Sequence, residues 1–255
     1  MARSRRRRLG QNFLVDSGIA RRIVGLLGDD PPRVLEIGPG RGALTAILLE
    51  RFAEVRALEL DEALVAPLAA RFAGANLHLV HGDALTIDWS EVAGDGPWQL
   101  ASNLPYSVGT AILRRLLPHH DHFARLVVML QREVAERVVA EPGDRNHGLM
   151  ALERAAWADA RIAFNVVPRA FRPVPKVTSA VVVLIPRPAP APADRLRRAL
   201  ELAGRALTRP RKMLSNALGD DVAVAAVESA GLDPRTRPGQ LALEDWLALA
   251  RIIHE

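Results

Sequence analysis

Short apolar runs alternate with amphipathic stretches along the first two thirds of the chain. Runs at 33–37, 55–58, 77–80, a run closing at Leu100 and Ala101, and another at 125–130 read as buried strands. Between them lie stretches of helical period. The first is predicted to start at an Asp16 N-cap, to bury Ile19, Ile23 and Leu26 or Leu27, and to stop at Gly28. Others run through Ala43, Leu44, Ile47 and Leu48, over 61–72 and over 110–117, and one begins near Gln131. Two late β-branched runs, 162–166 and 177–185, lack an intervening helix and read as a hairpin-like pair. Strand and helix in alternation, followed by that pair, predict an α/β fold: a mostly parallel sheet with an antiparallel edge.

Beyond residue 186 the pattern changes. Residues 186–193 alternate Pro with Ala and Arg, a stiff polyproline-type linker. Helices are expected after it, one capped by Asp194, then 209–218 stopped at Gly219, 221–230 and 243–253. The division predicted is 1–187, opening with a basic tail over 1–10, and a small all-helical domain over 188–255.

Composition narrows the classes. With 49% hydrophobic and 25% charged residues the chain is globular, not disordered. No apolar run approaches the ~20 residues of a membrane span, and the Arg-rich start is not followed by a signal-peptide core, so a cytoplasmic protein is expected. Zero cysteines exclude disulfides and thiolate metal ligands. His119, His120 and His122 stand together at a helix end, where solvation or the helix dipole explains them without a metal. The net charge of +5 is polarised: five Arg lie within residues 3–8, and eight basic residues between 187 and 217 face only Asp194 and Glu201. Such clustering fits a polyanion-binding surface.

The candidate chemistry sits at the strand ends. Gly38-Pro39-Gly40-Arg41-Gly42 between a strand and a helix is a nucleotide-binding turn in which Gly38 and Gly40 let backbone approach a ligand and Gly42 lets helix pack on strand. The GxGxG spacing, with Glu36 two residues before it, suits a cofactor without phosphates that ends in an amino acid, S-adenosylmethionine. Glu59 closes the second strand, where a ribose diol is gripped. Asp83, followed by Ala84, lies just past the third and can accept an adenine amine. At the end of the fourth, Asn103-Leu104-Pro105-Tyr106 offers a carboxamide oxygen, a carbonyl aimed by the proline, and a flat π-face. These suit a planar ring bearing an exocyclic NH2, and equally a plain strand-to-turn exit. Tyr106 enters only as a surface to stack on, so Tyr106→Phe is expected to keep most activity.

Seven segments carry a resemblance: LGQNFL at 9–14, LEIGPGRGALT at 35–45, GDAL at 82–85, NLPY at 103–106, MLQREVAER at 129–137, AFRPVPKVTSAVV at 170–182 and GLDPRTRPGQL at 231–241. The chain resembles the small-subunit ribosomal RNA adenine N6,N6-dimethyltransferases of the KsgA type over nearly its whole length. The resemblance implies a class I (Rossmann-like) methyltransferase fold, S-adenosylmethionine as cofactor, and 16S ribosomal RNA in the immature small subunit as partner of a monomeric enzyme. It places cofactor contacts on Asn12, Leu14, Gly38, Gly40, Glu59, Asp83, Ala84 and Asn103, and the target adenine on Asn103 and Leu104, between Tyr106 and Phe171. Two other readings share these motifs: a large-subunit methyltransferase of the macrolide-resistance type, and a ribosome-assembly factor for which methylation is secondary. Ala242 departs from the pattern, standing where a Ser or Thr would cap the last helix.

Overall fold

The structure, a computed structural model, describes residues 11–219 and 224–253. The Arg-rich tail lies outside the described residues. One compact unit takes the chain up to Ala135 together with Asp159–Pro186, and a second takes Glu136–Ala158 together with the chain from Arg187 on.

The first unit is built on nine strands: β1 (Phe13–Leu14), β2 (Arg33–Ile37), β3 (Glu54–Glu59), β4 (Leu77–His81), β5 (Trp98–Asn103), β6 (Phe123–Gln131), β7 (Ala158–Val166), β8 (Phe171–Arg172) and β9 (Ser179–Pro186). Seven form one sheet in the order β4-β3-β2-β5-β6-β9-β7, and β1 pairs with β8 apart from it. From β4 to β6 all neighbours are parallel, while β9 runs antiparallel to β6. The expected mostly parallel sheet with an antiparallel edge is the one observed. β2 and β5 have apolar side chains buried on both faces, as inner strands of a parallel sheet covered by helices must. Within this sheet the chain enters at β2, steps outward to β3 and β4, and returns to β5 on the other side of β2. That reversal opens a crevice at the carboxyl ends of β2 and β5, the point at which open α/β sheets bind ligands.

Helix boundaries correct the sequence reading in several places. Asp16 does cap the first helix, accepting the Ile19 N–H, but Ser17–Val24 ends at Gly25 and not at Gly28. The short helix Trp89–Ala93, too brief to show a period, is additional to the expected elements, and so is Leu149–Trp157. In the second unit the helix expected over 209–218 shrinks to Leu214–Leu218, because Thr208 to Met213 turn instead. Asp194 lies inside the first turn of Ala193–Leu207, whose N-cap is Pro192.

A boundary at 187/188 leaves 136–158 in the first unit, whereas the segment packs with the second. Leu152 and Ala156 of Leu149–Trp157 join Leu196, Leu202, Leu214 and Trp246 in one buried cluster. Arg154, only 6% exposed, fastens the same segment by donating to the carbonyls of Val138 and Ala140 and to the Glu141 carboxylate at 3.0, 3.3 and 3.1 Å. The absent cap at Ala242 is half replaced: the Asp245 carboxylate accepts the Ala242 N–H at 2.8 Å, ahead of helix Leu243–Ile252.

Candidate active site

Three glycines shape the floor. Gly38, Gly40 and Gly42 have φ of 67°, 59° and 78°, a region that side-chain-bearing residues rarely adopt, so the tight turn between β2 and helix Ala43–Arg51 requires them. Their surroundings differ. A Cβ on Gly38 would meet nothing within 4 Å, one on Gly40 would meet the Phe13 ring at 2.9 Å, and one on Gly42 the Phe72 ring at 2.6 Å. Gly38 thus leaves open a space above the turn; Gly40 and Gly42 admit two aromatic rings. The neighbour that requires Gly42 is therefore a ring at the end of helix Glu62–Arg71, not a strand.

Two adjoining cavities open there. One, of about 440 Å3, is lined by Gln11, Asn12 and Phe13 from the N-terminal segment, Gly38 and Gly40, Glu59, and Asn103 to Tyr106. The other, about 280 Å3, shares Phe13, Gly38, Gly40 and Asn103 and adds Leu14, Glu36 and Arg41. Of the residues expected in the site, Asn12, Leu14, Gly38, Gly40, Glu59, Asn103, Leu104 and Tyr106 come together here.

Asp83 and Ala84 line neither cavity. They follow β4, two strands from β2, and the Asp83 carboxylate accepts the Leu85 N–H at 2.8 Å within its own turn. Phe171 is also elsewhere. Its ring is fully buried with Leu14, Val166 and Val181, because the backbone of β8 pairs with β1, Phe171 against Leu14, and turns the side chain into the core. Phe171 therefore does not line either cavity beside Tyr106, where the expected sandwich would need it. Burying the ring gains about 2 to 3 kcal/mol that exposure at the cavity would forfeit.

The polar groups are held by bonds across the chain. Asn103 donates its Nδ2 to the Asn12 carbonyl at 3.0 Å, which fixes the amide orientation and leaves Oδ1 as the atom able to accept from a ligand. Leu104, 1% exposed, is anchored by its N–H to the Met129 carbonyl at 3.2 Å. Glu59, 4% exposed, accepts the Gly40 N–H on one oxygen at 3.0 Å and the Asp61 N–H on the other at 2.8 Å. Each oxygen keeps a further lone pair. Burial nevertheless pushes its pKa up, with the charge of Asp61 adding to the rise and the two N–H bonds opposing it. Glu36, 1% exposed, accepts the Thr45 hydroxyl at 2.6 Å. Burial, assisted by the nearby Glu59 and opposed by the Thr45 bond, pushes its pKa up to about 8.

These features fit a ligand with a vicinal diol and a cationic, amino-acid-like end. Gln11, tied to Asp61 through Nε2 at 3.3 Å, keeps an unpaired Oε1 beside the same corner. Ser179 has no place among the residues expected from sequence, yet its hydroxyl lies 2.5 Å from the Tyr106 hydroxyl. Ser179 lies within the 170–182 segment that carries the resemblance, but its pairing with Tyr106 is not legible there, since the partners are 73 residues apart.

The second unit carries exposed Arg209, Arg211 and Lys212 in the turn before Leu214–Leu218. The Leu214 N–H bonds the Thr236 carbonyl at 2.8 Å and the Ser215 N–H the Pro234 carbonyl at 3.2 Å, which brings exposed Arg235 and Arg237 alongside. No helix among the described residues is long and apolar enough to cross a membrane.

Comparison with known proteins identifies the family. Ribosomal RNA small subunit methyltransferase A of Methylococcus capsulatus is 39% identical over 248 residues, covering 96% of each chain. The protein of the same name from Magnetococcus marinus is 42% identical over 252 residues, 96% of this chain and 90% of its own. A solved dimethyladenosine transferase from Plasmodium falciparum superposes with a TM-score of 0.77 at 25% identity, over 93% of this chain and 95% of that one. The 23S rRNA methyltransferase ErmE superposes at 0.72 with 25% identity, over 96% and 100%. The family model for ribosomal RNA adenine dimethylase matches residues 2–255, and the chain belongs to that family.

Proposed function

We propose that this enzyme transfers two methyl groups from S-adenosylmethionine to N6 of adenines in the RNA of the immature small ribosomal subunit. The observation that carries the reading is the Asn103 amide: with Nδ2 committed to the Asn12 carbonyl, Oδ1 is free to accept a hydrogen from an exocyclic amine at the mouth of the cavity. The relatives named small-subunit methyltransferases support the choice of subunit.

The bound cofactor supplies an electrophilic methyl on a sulfonium. Glu59 would grip its ribose diol and the Gly38–Gly40 turn would let its chain approach the backbone; Asp83 and Ala84, at the tip of β4, are assigned to the adenine end. Asn103 Oδ1 and the Leu104 carbonyl accept the two hydrogens of the target amine, so its nitrogen is presented with the lone pair toward the methyl. Orientation of this kind and fixed dipoles supply most of the acceleration. The product ammonium is acidic enough to lose its proton to water, so no residue has to act as a base. After one transfer the amine keeps one hydrogen and still has an acceptor. The second methylation then needs only a fresh cofactor.

An unstacked adenine needs a surface, and Tyr106, half-buried at the cavity, is the aromatic that supplies it; stacking contributes about 1 to 3 kcal/mol. The cluster of Arg209, Arg211, Lys212, Arg235 and Arg237 is assigned to RNA phosphates, with which Arg and Lys pair regardless of sequence. The test is incubation with labelled cofactor and unmodified small subunits, followed by mass spectrometry of digested RNA. Dimethyladenosine should predominate in the wild type, and Asn103→Ala should lower the rate at least ~100-fold. Mostly monomethylated product, or near-normal activity of Asn103→Ala, would overturn the two-acceptor arrangement.

A further inference from the structure

We infer that Ser179 is a positioning residue for the methyl acceptor, acting through Tyr106 and setting the plane of the ring on which the target base stacks. The inference rests on the base-stacking role given to Tyr106 above. Ser179 opens β9 and is fully buried, and its Oγ lies 2.5 Å from the Tyr106 hydroxyl. Its backbone is registered against Gln131 of β6, and β6 in turn registers Met129 against Asn103 of β5. One rigid row of three strand tips thus carries both ends of the Asn103–Tyr106 turn: Asn103 is held through its side chain by the Asn12 carbonyl, Tyr106 through its hydroxyl by Ser179.

A tyrosine ring swings about two side-chain torsions, and a base stacked on it reaches the methyl only for a narrow range of both. The Ser179 bond grips the ring at the end farthest from the backbone, where a change in the first torsion moves atoms most; the phenol O–H prefers the plane of its ring, so the direction of the bond to Ser179 sets the second torsion as well. With the serine buried, water cannot substitute for the phenol as its partner without opening that end of the sheet. Phe171, the second aromatic the motif suggests, sits in the core, so it does not restrain Tyr106 from the other face. A ring serving only as a surface would tolerate Tyr106→Phe. The bond to Ser179 predicts that it will not.

Wild type, Ser179→Ala, Tyr106→Phe and the double variant, as full chains, are compared by steady-state methylation of unmodified small subunits and by calorimetry with S-adenosylhomocysteine. Each single change should lower kcat/KM for the RNA by about 5- to 30-fold, the loss of one buried hydrogen bond. The double variant should lose no more than either single one, and nucleotide binding should stay at wild-type strength. Losses that multiply in the double variant, or a Ser179→Ala enzyme with wild-type kinetics, overturn the inference. A general packing defect, which would also overturn it, would weaken nucleotide binding as well. A second readout is independent of RNA. Tyr106 is the only tyrosine, so its ionisation is visible by absorbance. Burial raises its pKa and the Ser179 bond holds it down, so Ser179→Ala should raise it further. An unchanged titration would show that the bond does not form, whereas an inactive wild type would count against the methylation reading alone.

Discussion

Glu36→Gln tests the electrostatics of the cavity without reference to RNA. Glu36 is fully buried beside a second carboxylate, and burial, ahead of the charge of Glu59, raises its pKa from 4.5 to about 8. Between those values the folded protein holds a proton that the unfolded chain has released. Folding therefore takes up a proton, and the contribution of this group is fully present below pH 4.5 and is lost as pH rises toward 8. At about 1.4 kcal/mol per unit the loss totals roughly 5 kcal/mol. Glutamine keeps the shape and an oxygen for the Thr45 hydroxyl but cannot ionise. In urea denaturation of the ligand-free protein, variant and wild type should match near pH 5. The variant should become the more stable by several kcal/mol at about pH 8.5. Binding of a cation beside Glu36 should expel the proton, so calorimetry in buffers of different ionisation enthalpy at about pH 7 should find more proton release in the wild type than in the variant, which keeps only Glu59 as a carboxyl of raised pKa there. Stability curves that run parallel across this range would refute the reasoning.

Two further changes probe the turn and the second unit. Gly42→Ala places a Cβ 2.6 Å from the Phe72 ring at a φ of 78°, and should cost about 2 to 4 kcal/mol in urea denaturation; a loss under about 0.5 kcal/mol would mean that the turn relaxes freely. Reversing the charges of Arg209, Arg211 and Lys212 together should weaken binding to small subunits and flatten its salt dependence by about 0.7 to 0.9 for each phosphate no longer neutralised, with cofactor affinity unchanged. An unchanged salt slope would remove this cluster from the RNA surface.

What the sequence discloses follows from the range of the interactions involved. Inner strands such as Arg33–Ile37 are fixed by continuous burial, a property of consecutive residues, and the strand predicted there is the strand observed. Glycines at positive φ are legible because almost no other residue fits. The stretch 209–213 belongs to the helix expected over 209–218, but Pro210 and the pairing of 214–215 with 234–236 interrupt it. The displacement of Phe171 from its expected place has the same origin. Its motif names the residue, but which way the ring faces is decided by β1, roughly 160 residues upstream along the chain, in the pairing of Leu14 with Phe171.

The division of the second unit across 136–158 bears on how RNA handling and methyl transfer stay coupled in such an enzyme. Glu136 follows directly on the segment that leaves β6, and Gln131 at the end of β6 is registered with Ser179, the residue that holds Tyr106. The chain therefore passes from the strand tip registered with Ser179 into Arg132–Val139 and on to Leu149–Trp157, whose Leu152 and Ala156 help build the core of the basic unit. A second connection, from β9 into Arg187, starts from the strand that Ser179 opens. A third, from Ala158 into β7, returns the chain to the strand beside β9. The covalent links between the units thus all reach the β6-β9-β7 side of the sheet, and none reaches β2, β3 or β4, where the glycine turn, Glu59 and Asp83 stand. Changes in the basic unit should accordingly be felt in the handling of RNA and of the acceptor base before they are felt in cofactor affinity.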